Sequence, residues 1–453
     1  MKPREHFGGR AAVIMALAGS AIGLGNIWRF PYMVGENGGA AFILVYILAT
    51  LLLLLPMFLA ESVIGRRSRA NAFGAMKALA PHSRWKWTGL FVVITPMIVL
   101  SYYSVVGGWA LGYFGMSLTG GFLQSDPEAL HGVFGSFLDS SWKPVVCFTA
   151  FLAISCLIVA GGVKSGIEKF SKYSIPVLFL MIVTMAVFSL SLPGAAEGVR
   201  YLIRPDFSKL TASAVAAAVG QGFFSLSLGM GIVITYSSYV KPTENLVASG
   251  LGTAVADLLF ALLAGFAVMP AVFAAGIEPA AGPGLVFETL PYIFAKMGLS
   301  SPWLSSGVAI LFFITILVAA LSSAISMFEV GVAYLVEEKG ISRRTATLGL
   351  FAFAWTLGAL CSLSFGPLAD FTLLGETLFS FCDKLTSNFL MTFGGLLFTL
   401  FVGWKMDKMR VRDELTNGGS LPVNGRLFGI IYFMIKWVAP VVIGIIFVTN
   451  LLL

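Results

Sequence analysis

Gly19-Ser20-Ala21-Ile22-Gly23-Leu24-Gly25-Asn26-Ile27-Trp28-Arg29-Phe30-Pro31 is the stretch that decides the fold. Apolar sequence precedes it from Ala11 and a second apolar run follows from Ala40, which predicts that it lies inside a membrane. Gly19, Gly23 and Gly25 weaken a helix there, while Asn26 and Arg29 bring polar side chains to the same depth. Broken backbone in a bilayer leaves N–H and C=O groups without partners, each at considerable cost, unless a cavity or a ligand satisfies them. Close helix packing through small residues four apart, Gly19 and Gly23, is the plainer reading of the same glycines. A second interruption farther along the chain decides between the two.

Hydrophobic residues make up 58% of the chain and charged residues only 11%. Ordinary soluble domains carry roughly 25% charged residues, so that class is excluded. Apolar runs of about 20 residues recur, which is the mark of a polytopic helical protein in a lipid bilayer. Eleven segments are counted, at 11–34, 40–65, 88–119, 143–161, 168–191, 212–239, 246–276, 302–336, 344–364, 374–404 and 427–452. Residues 1 to 10 are polar and lead straight into the first segment, so no cleavable signal peptide is expected. With the N-terminus in the cytoplasm, Arg66, Arg67, Lys77, Arg84, Lys86, Lys164, Lys169, Arg343 and the Lys405–Arg412 cluster fall inside. The opposite loops are sparse in Lys and Arg, which fixes the orientation and, with eleven spans, sends the C-terminus outside. The net charge of +7 comes from basic residues between apolar runs and is no nucleic-acid footprint. The four cysteines sit in or beside apolar segments and read as small buried hydrophobes. No catalytic triad, metal cluster or nucleotide motif stands out, so no enzyme is expected.

The sixth segment repeats the opening theme. Gly220-Gln221-Gly222-Phe223-Phe224-Ser225-Leu226-Ser227-Leu228-Gly229-Met230-Gly231 again combines glycines with polar side chains. Segments 1 and 6 therefore begin two five-helix halves, with interruptions in corresponding positions. That arrangement points to a transporter binding site between inverted repeats. Half-helix N-termini offer N–H groups and a positive dipole end to an anion, and unwound carbonyls offer oxygens to a cation. Segment 8 carries Ser322 and Ser323, whose hydroxyls either bond back along the helix or act as hard oxygen ligands. Glu61, Asp257, Glu329, Asp383 and Lys384 stand in apolar context, where an ionisable group is costly and a candidate for function. Residues 278–301 are too rich in Pro, Gly and polar groups to span, and read as an external lid with a short helix. Gly166 and Pro176 bracket the start of segment 5, where the helix can kink or unwind.

GSAIGLGNIWRFPY with ENGGAAF behind it, YYSVVGGW, GQGFFSLSLGMG, SSY and LSSAIS together resemble the neurotransmitter:sodium symporters over essentially the whole chain. The resemblance implies an all-α polytopic membrane protein with the LeuT fold: two inverted five-helix repeats (1–191 and 212–404), an eleventh helix at 427–452, and helices 1 and 6 unwound at mid-membrane. Many members have twelve spans, and this chain shows eleven. The family pattern places a substrate carboxylate against the backbone at Gly23, Leu24 and Gly25 and the Tyr103 hydroxyl. It places the substrate amine at Ala21, Phe224 and Ser225. Val99, Phe224, Ser227, Met230, Ser323 and Met327 become the side-chain walls. One sodium ion falls to Ala21, Asn26, Ser225 and Asp257, together with the substrate carboxylate. A second falls to Gly19, Ile22, Ala319, Ser322 and Ser323. Arg29 and Asp383 become an external gate, and Arg4 with Glu337 a cytoplasmic one. Glu61 becomes a support for segment 6, and Glu329 is left without a role.

The implied activity is sodium-coupled symport of an apolar L-amino acid across the inner (plasma) membrane by alternating access. Chloride is not expected to be needed, because Asp257 stands where chloride-dependent relatives carry an asparagine and so supplies the negative charge itself. A membrane amino-acid sensor of the same fold is the alternative, although no added cytoplasmic domain is visible. A channel would favour a continuous polar lining, whereas these polar groups converge at one depth.

Overall fold

The computed structural model describes residues 6–122, 132–276, 286–299, 301–421 and 425–452. Arg4 and residues 278–285 and 300 of the expected lid lie outside them. The described helices are α1 (Arg10–Ala21), α2 (Gly25–Glu36), α3 (Ala40–Ser68), α4 (Ala72–Leu79), α5 (Lys86–Leu118) and α6 (Val133–Asp139). Next come α7 (Lys143–Ala160), α8 (Val163–Leu190), α9 (Ala195–Ile203), α10 (Ala212–Ser225), α11 (Ile232–Ser237) and α12 (Leu246–Ala274). The last are α13 (Thr289–Gly298), α14 (Pro302–Lys339), α15 (Arg343–Leu363), α16 (Leu378–Lys405), α17 (Lys408–Thr416) and α18 (Gly425–Thr449). A two-stranded hairpin pairs Thr372 with Thr377 between α15 and α16.

Nine of the described helices are long and apolar enough to cross a membrane, and α1 with α2 forms a tenth span bent by 52°. The sixth apolar segment is split between α10 and α11. Both breaks fall where the sequence puts its glycines. After α1 the chain turns extended at Ile22 (φ −71°, ψ 107°) and re-enters a helix at Gly25. After α10, Ser227, Gly229 and Gly231 all have positive φ. Gly229 is required twice over: its φ is 76°, and a Cβ there would strike the Met391 carbonyl and come within 2.9 Å of the Gly395 nitrogen. The α10–α11 break therefore packs backbone to backbone against α16.

The two long helices α5 and α14 cross the molecule in mutual contact, and α7, α8 and α15 pack around them. Small residues permit this closeness without a hydrophobic drive between helices in lipid. At Gly108 of α5 a Cβ would lie 2.7 Å from Phe148 Cβ of α7. The broken helices α1, α2, α10 and α11 lie instead with α3 and α12. Lipid-facing apolar side chains such as Leu157, Leu180, Ile430 and Ile445 are exposed, as expected for a bilayer-facing belt.

Candidate functional site

The two breaks face each other across a small, nearly closed cavity with about 10 Å³ of free space. Ala21, Gly23 and Gly25 from the first break line it with Phe224, Ser227 and Met230 from the second. Tyr103 of α5 and Ser323 and Met327 of α14 complete the wall. Val99 is buried in α5 but does not line the cavity. The N–H of Leu24 donates to the Tyr103 hydroxyl at 3.1 Å, and the N–H of Gly23 donates to Asn26 Oδ1 at 3.0 Å. These are two of the donors that a half-helix N-terminus leaves free. A Cβ on Gly23 would collide with Ser323 Oγ and sit 2.9 Å from Tyr103 Oη, so any other residue there would have to displace those side chains.

One wall is backed by a buried polar knot. Asp257 of α12 is fully buried and accepts from Ser225 Oγ at 2.7 and 2.9 Å, from Asn26 Nδ2 at 2.8 Å and from Tyr46 Oη at 3.3 Å. Asn26 Nδ2 also donates to Ser225 Oγ at 3.1 Å. All of these donors are neutral, and the described ion pairs include none to Asp257. A buried carboxylate surrounded only by neutral dipoles is incompletely compensated. The oxygens converging here suit a small hard cation, which prefers carboxylate, carbonyl and hydroxyl ligands.

A second oxygen cluster lies where α1 ends against α14. Ser322 Oγ donates to the Ile22 carbonyl at 2.9 Å and to the Ala319 carbonyl at 2.7 Å. Ser323 Oγ reaches the Ser20 carbonyl at 3.3 Å, and Ser227 Oγ reaches the same carbonyl at 3.0 Å. Gly19 faces Ser171 of α8, on the flank of this cluster.

Arg29 lies over the Phe224 ring, its guanidinium carbon 4.7 Å from the centroid. Asp383 is near enough to act on Arg29 electrostatically, but the described ion pairs within 4 Å do not join the two. Arg29 Nη1 is buried with no hydrogen-bond partner among the described residues. At the opposite end, Glu337 Oε2 accepts from the backbone N–H and side-chain amide of Asn71 at 2.8 and 3.0 Å. That clamp ties the end of α14 to the start of α4.

The geometry also supplies partners that the sequence reading left out. Tyr46 reads in sequence as one more aromatic in an apolar helix, yet its hydroxyl reaches Asp257. Gln221 Nε2 donates to the Gly25 carbonyl at 2.7 Å, tying the second break to the first. Glu61 Oε1 accepts from the Gly229 N–H at 2.8 Å and so supports the unwound part of segment 6. Glu329 accepts from Tyr239 Oη at 2.7 Å and pairs with Arg343, whose Nη1 lies 3.2 Å away. Arg343 in turn donates Nε to the Val159 carbonyl at 2.8 Å, so this group pins α14, α15, α7 and the stretch after α11 together.

An uncharacterized sodium-dependent transporter of Bacillus subtilis is 39% identical over 438 residues, covering 96% of this chain and 95% of the relative. One from Haemophilus influenzae is 34% identical and covers 99% of both chains. The crystal structure of MhsT in complex with L-phenylalanine superposes with a TM-score of 0.91 at 39% identity, over 99% of this chain and 100% of that one. The chain thus has the LeuT fold, with helices 1 and 6 of that fold interrupted at the cavity. The profile of the sodium:neurotransmitter symporter family matches residues 4–126 and 122–453, and the chain belongs to that family of sodium-dependent membrane transporters.

Proposed function

We propose that the protein imports an apolar L-amino acid together with sodium by alternating access, without chloride. The observation that carries this is the position of Asp257, a buried carboxylate whose described partners are all neutral, beside a cavity edged by backbone N–H groups that bond to side chains rather than within a helix. A sodium ion carried as co-substrate would neutralise that carboxylate, with Ala21, Asn26 and Ser225 as the other ligands. A substrate carboxylate placed against the backbone of Gly23, Leu24 and Gly25 and the Tyr103 hydroxyl would share the ion, which couples the two cargoes. The substrate amine would meet Ala21, Phe224 and Ser225. Because the negative charge is part of the chain, no chloride is required to balance the ion. A second sodium ion would lie among Gly19, Ile22, Ala319, Ser322 and Ser323 and hold α1 to α14.

Met230, Met327 and Phe224 give the cavity an apolar, adaptable wall, which favours a medium or large apolar side chain. L-phenylalanine, bound in the MhsT crystal structure, is of that kind. Arg29 with Asp383 would close the outer side, and Arg4 with Glu337 the inner side. Residues 1–191 and 212–404 would act as the inverted repeats, 278–301 as the external lid and 427–452 as the eleventh span. The N-terminus would be cytoplasmic, and the C-terminus would face the outside of the inner membrane.

Binding competition tests the shared-carboxylate claim directly. Leucine, methionine, phenylalanine and tryptophan should outcompete glycine and glutamate in sodium buffer. A decarboxylated analogue such as phenethylamine should bind at least ~100-fold worse than phenylalanine, because unpaired donors and a lost ion ligand cost a few kcal/mol. Equal affinity for phenylalanine and phenethylamine refutes the proposal.

A further inference from the structure

A groove of about 770 Å³, open to solvent, lies between α4 and the start of α5, against the end of α14. Its lining includes Lys77, His82, Arg84, Lys86, Trp87 and Glu338. The position is a membrane–water interface, because α3 ends at Ser68, α5 begins at Lys86 and α14 ends at Lys339. Trp87, 58% exposed in the first turn of α5, is the amphipathic ring expected at headgroup level. Lys86 lies over it, with Nζ 5.5 Å from the ring centroid.

The charges in this groove do not balance. Lys77 pairs with Glu338 at 3.6 Å, but among the described residues neither Arg84 nor Lys86 has a carboxylate within 4 Å. Two uncompensated cations at headgroup depth, beside an interfacial tryptophan, complement a phosphodiester. We propose that this groove binds the headgroup phosphate of an anionic phospholipid, with Arg84 and Lys86 on its oxygens and Trp87 at the level of the glycerol. Lys77 lines the same groove.

The site has a structural consequence. Asn71 caps α4 by accepting from the N–H groups of Phe73 and Gly74 at 3.0 and 3.1 Å, and Glu337 holds Asn71. A headgroup bridging Lys77 of α4 to Lys86 of α5 therefore braces the same short helix whose N-terminus Glu337 of α14 holds.

The test is a titration of the purified, detergent-solubilised protein with phosphatidylglycerol, read by native mass spectrometry as the affinity of the tightest lipid adduct. Phosphatidylcholine and soluble glycerol 3-phosphate are the comparison ligands. Each basic residue near a headgroup contributes ~1 kcal/mol, so Arg84→Gln with Lys86→Gln should weaken that adduct about 30-fold. The charge-keeping pair Arg84→Lys with Lys86→Arg should retain it, which separates lost charge from a disturbed fold. Phosphatidylcholine bound as tightly by the wild type, or unchanged phosphatidylglycerol affinity in the Gln variant, overturns the proposal. Displacement of the lipid by millimolar glycerol 3-phosphate assigns the groove to a soluble phosphate ester and overturns the lipid assignment.

Discussion

At the scale of single residues, Asp257 and Gly23 carry the most consequence. Asp257 has Ser225, Asn26 and Tyr46 around it and, among the described residues, no cationic side chain paired with it, which is the ground for proposing a sodium ion there. Asp257→Asn keeps the shape and much of the hydrogen bonding but removes the charge, and hydrogen bonds or contacts to a charged group are worth about 1.5–3 kcal/mol. Sodium affinity should therefore fall at least ~10-fold, read as the half-saturating sodium concentration for substrate binding; an unchanged value contradicts the assignment. Wild-type binding should be the same in chloride and gluconate. Gly23→Ala would push a methyl group onto Ser323 Oγ and Tyr103 Oη, so it should weaken substrate binding at least ~10-fold while the protein still folds in the membrane. Much of this was legible in sequence, because Asn26, Ser225 and Asp257 are polar groups where polar groups are costly. Tyr46 was not, since a tyrosine in an apolar helix reads as packing, and only the fold shows that its hydroxyl points at a carboxylate.

At the scale of elements, the breaks are held open by side chains from neighbouring helices. Glu61 on α3 supports Gly229, and Gln221 on α10 supports Gly25, so each unwound stretch is fixed without closing into a helix. Gly229→Ala should lower the melting temperature markedly: the left-handed conformation alone costs an L-residue about 1–2 kcal/mol, and the clash with the Met391 carbonyl adds to it. Removing both hydroxyls, Ser322→Ala with Ser323→Ala, takes away contacts between α14 and the end of α1. That variant should insert normally yet lose sodium-driven uptake; uptake at the wild-type level would eliminate the second ion site. Glu329→Gln removes the buried carboxylate that faces the half-buried Arg343, which costs less than the about 3–5 kcal/mol of breaking a fully buried pair because the guanidinium is partly hydrated. Its melting temperature should fall further than that of Glu329→Gln combined with Arg343→Gln. The glycine-rich interruptions were readable because two of them stand in corresponding positions of the two halves. The Glu329–Arg343–Tyr239 group was not, because its members lie on three elements that only folding brings together.

At the scale of the whole molecule, every one of the eleven apolar segments became helical, with the first and sixth split at their glycines. Segment length and hydropathy suffice for that, since a bilayer leaves a spanning chain little choice but a helix. Which segments would pack as partners was not legible from composition, because lipid-facing and helix-facing surfaces are equally apolar here. The pairing of α5 with α7 depends on close approach at Gly108, which shows only in three dimensions. The resemblance named the family, and the fold and the profile match agree with it; coupling of substrate to ion is the central claim that follows. The most direct test is uptake of labelled L-phenylalanine, leucine, methionine and tryptophan into proteoliposomes under an inward sodium gradient. At least one should accumulate above its external concentration, and gramicidin, which collapses the sodium gradient, should abolish the accumulation. Uptake that only equilibrates, or accumulation that survives gramicidin, would contradict sodium-coupled symport.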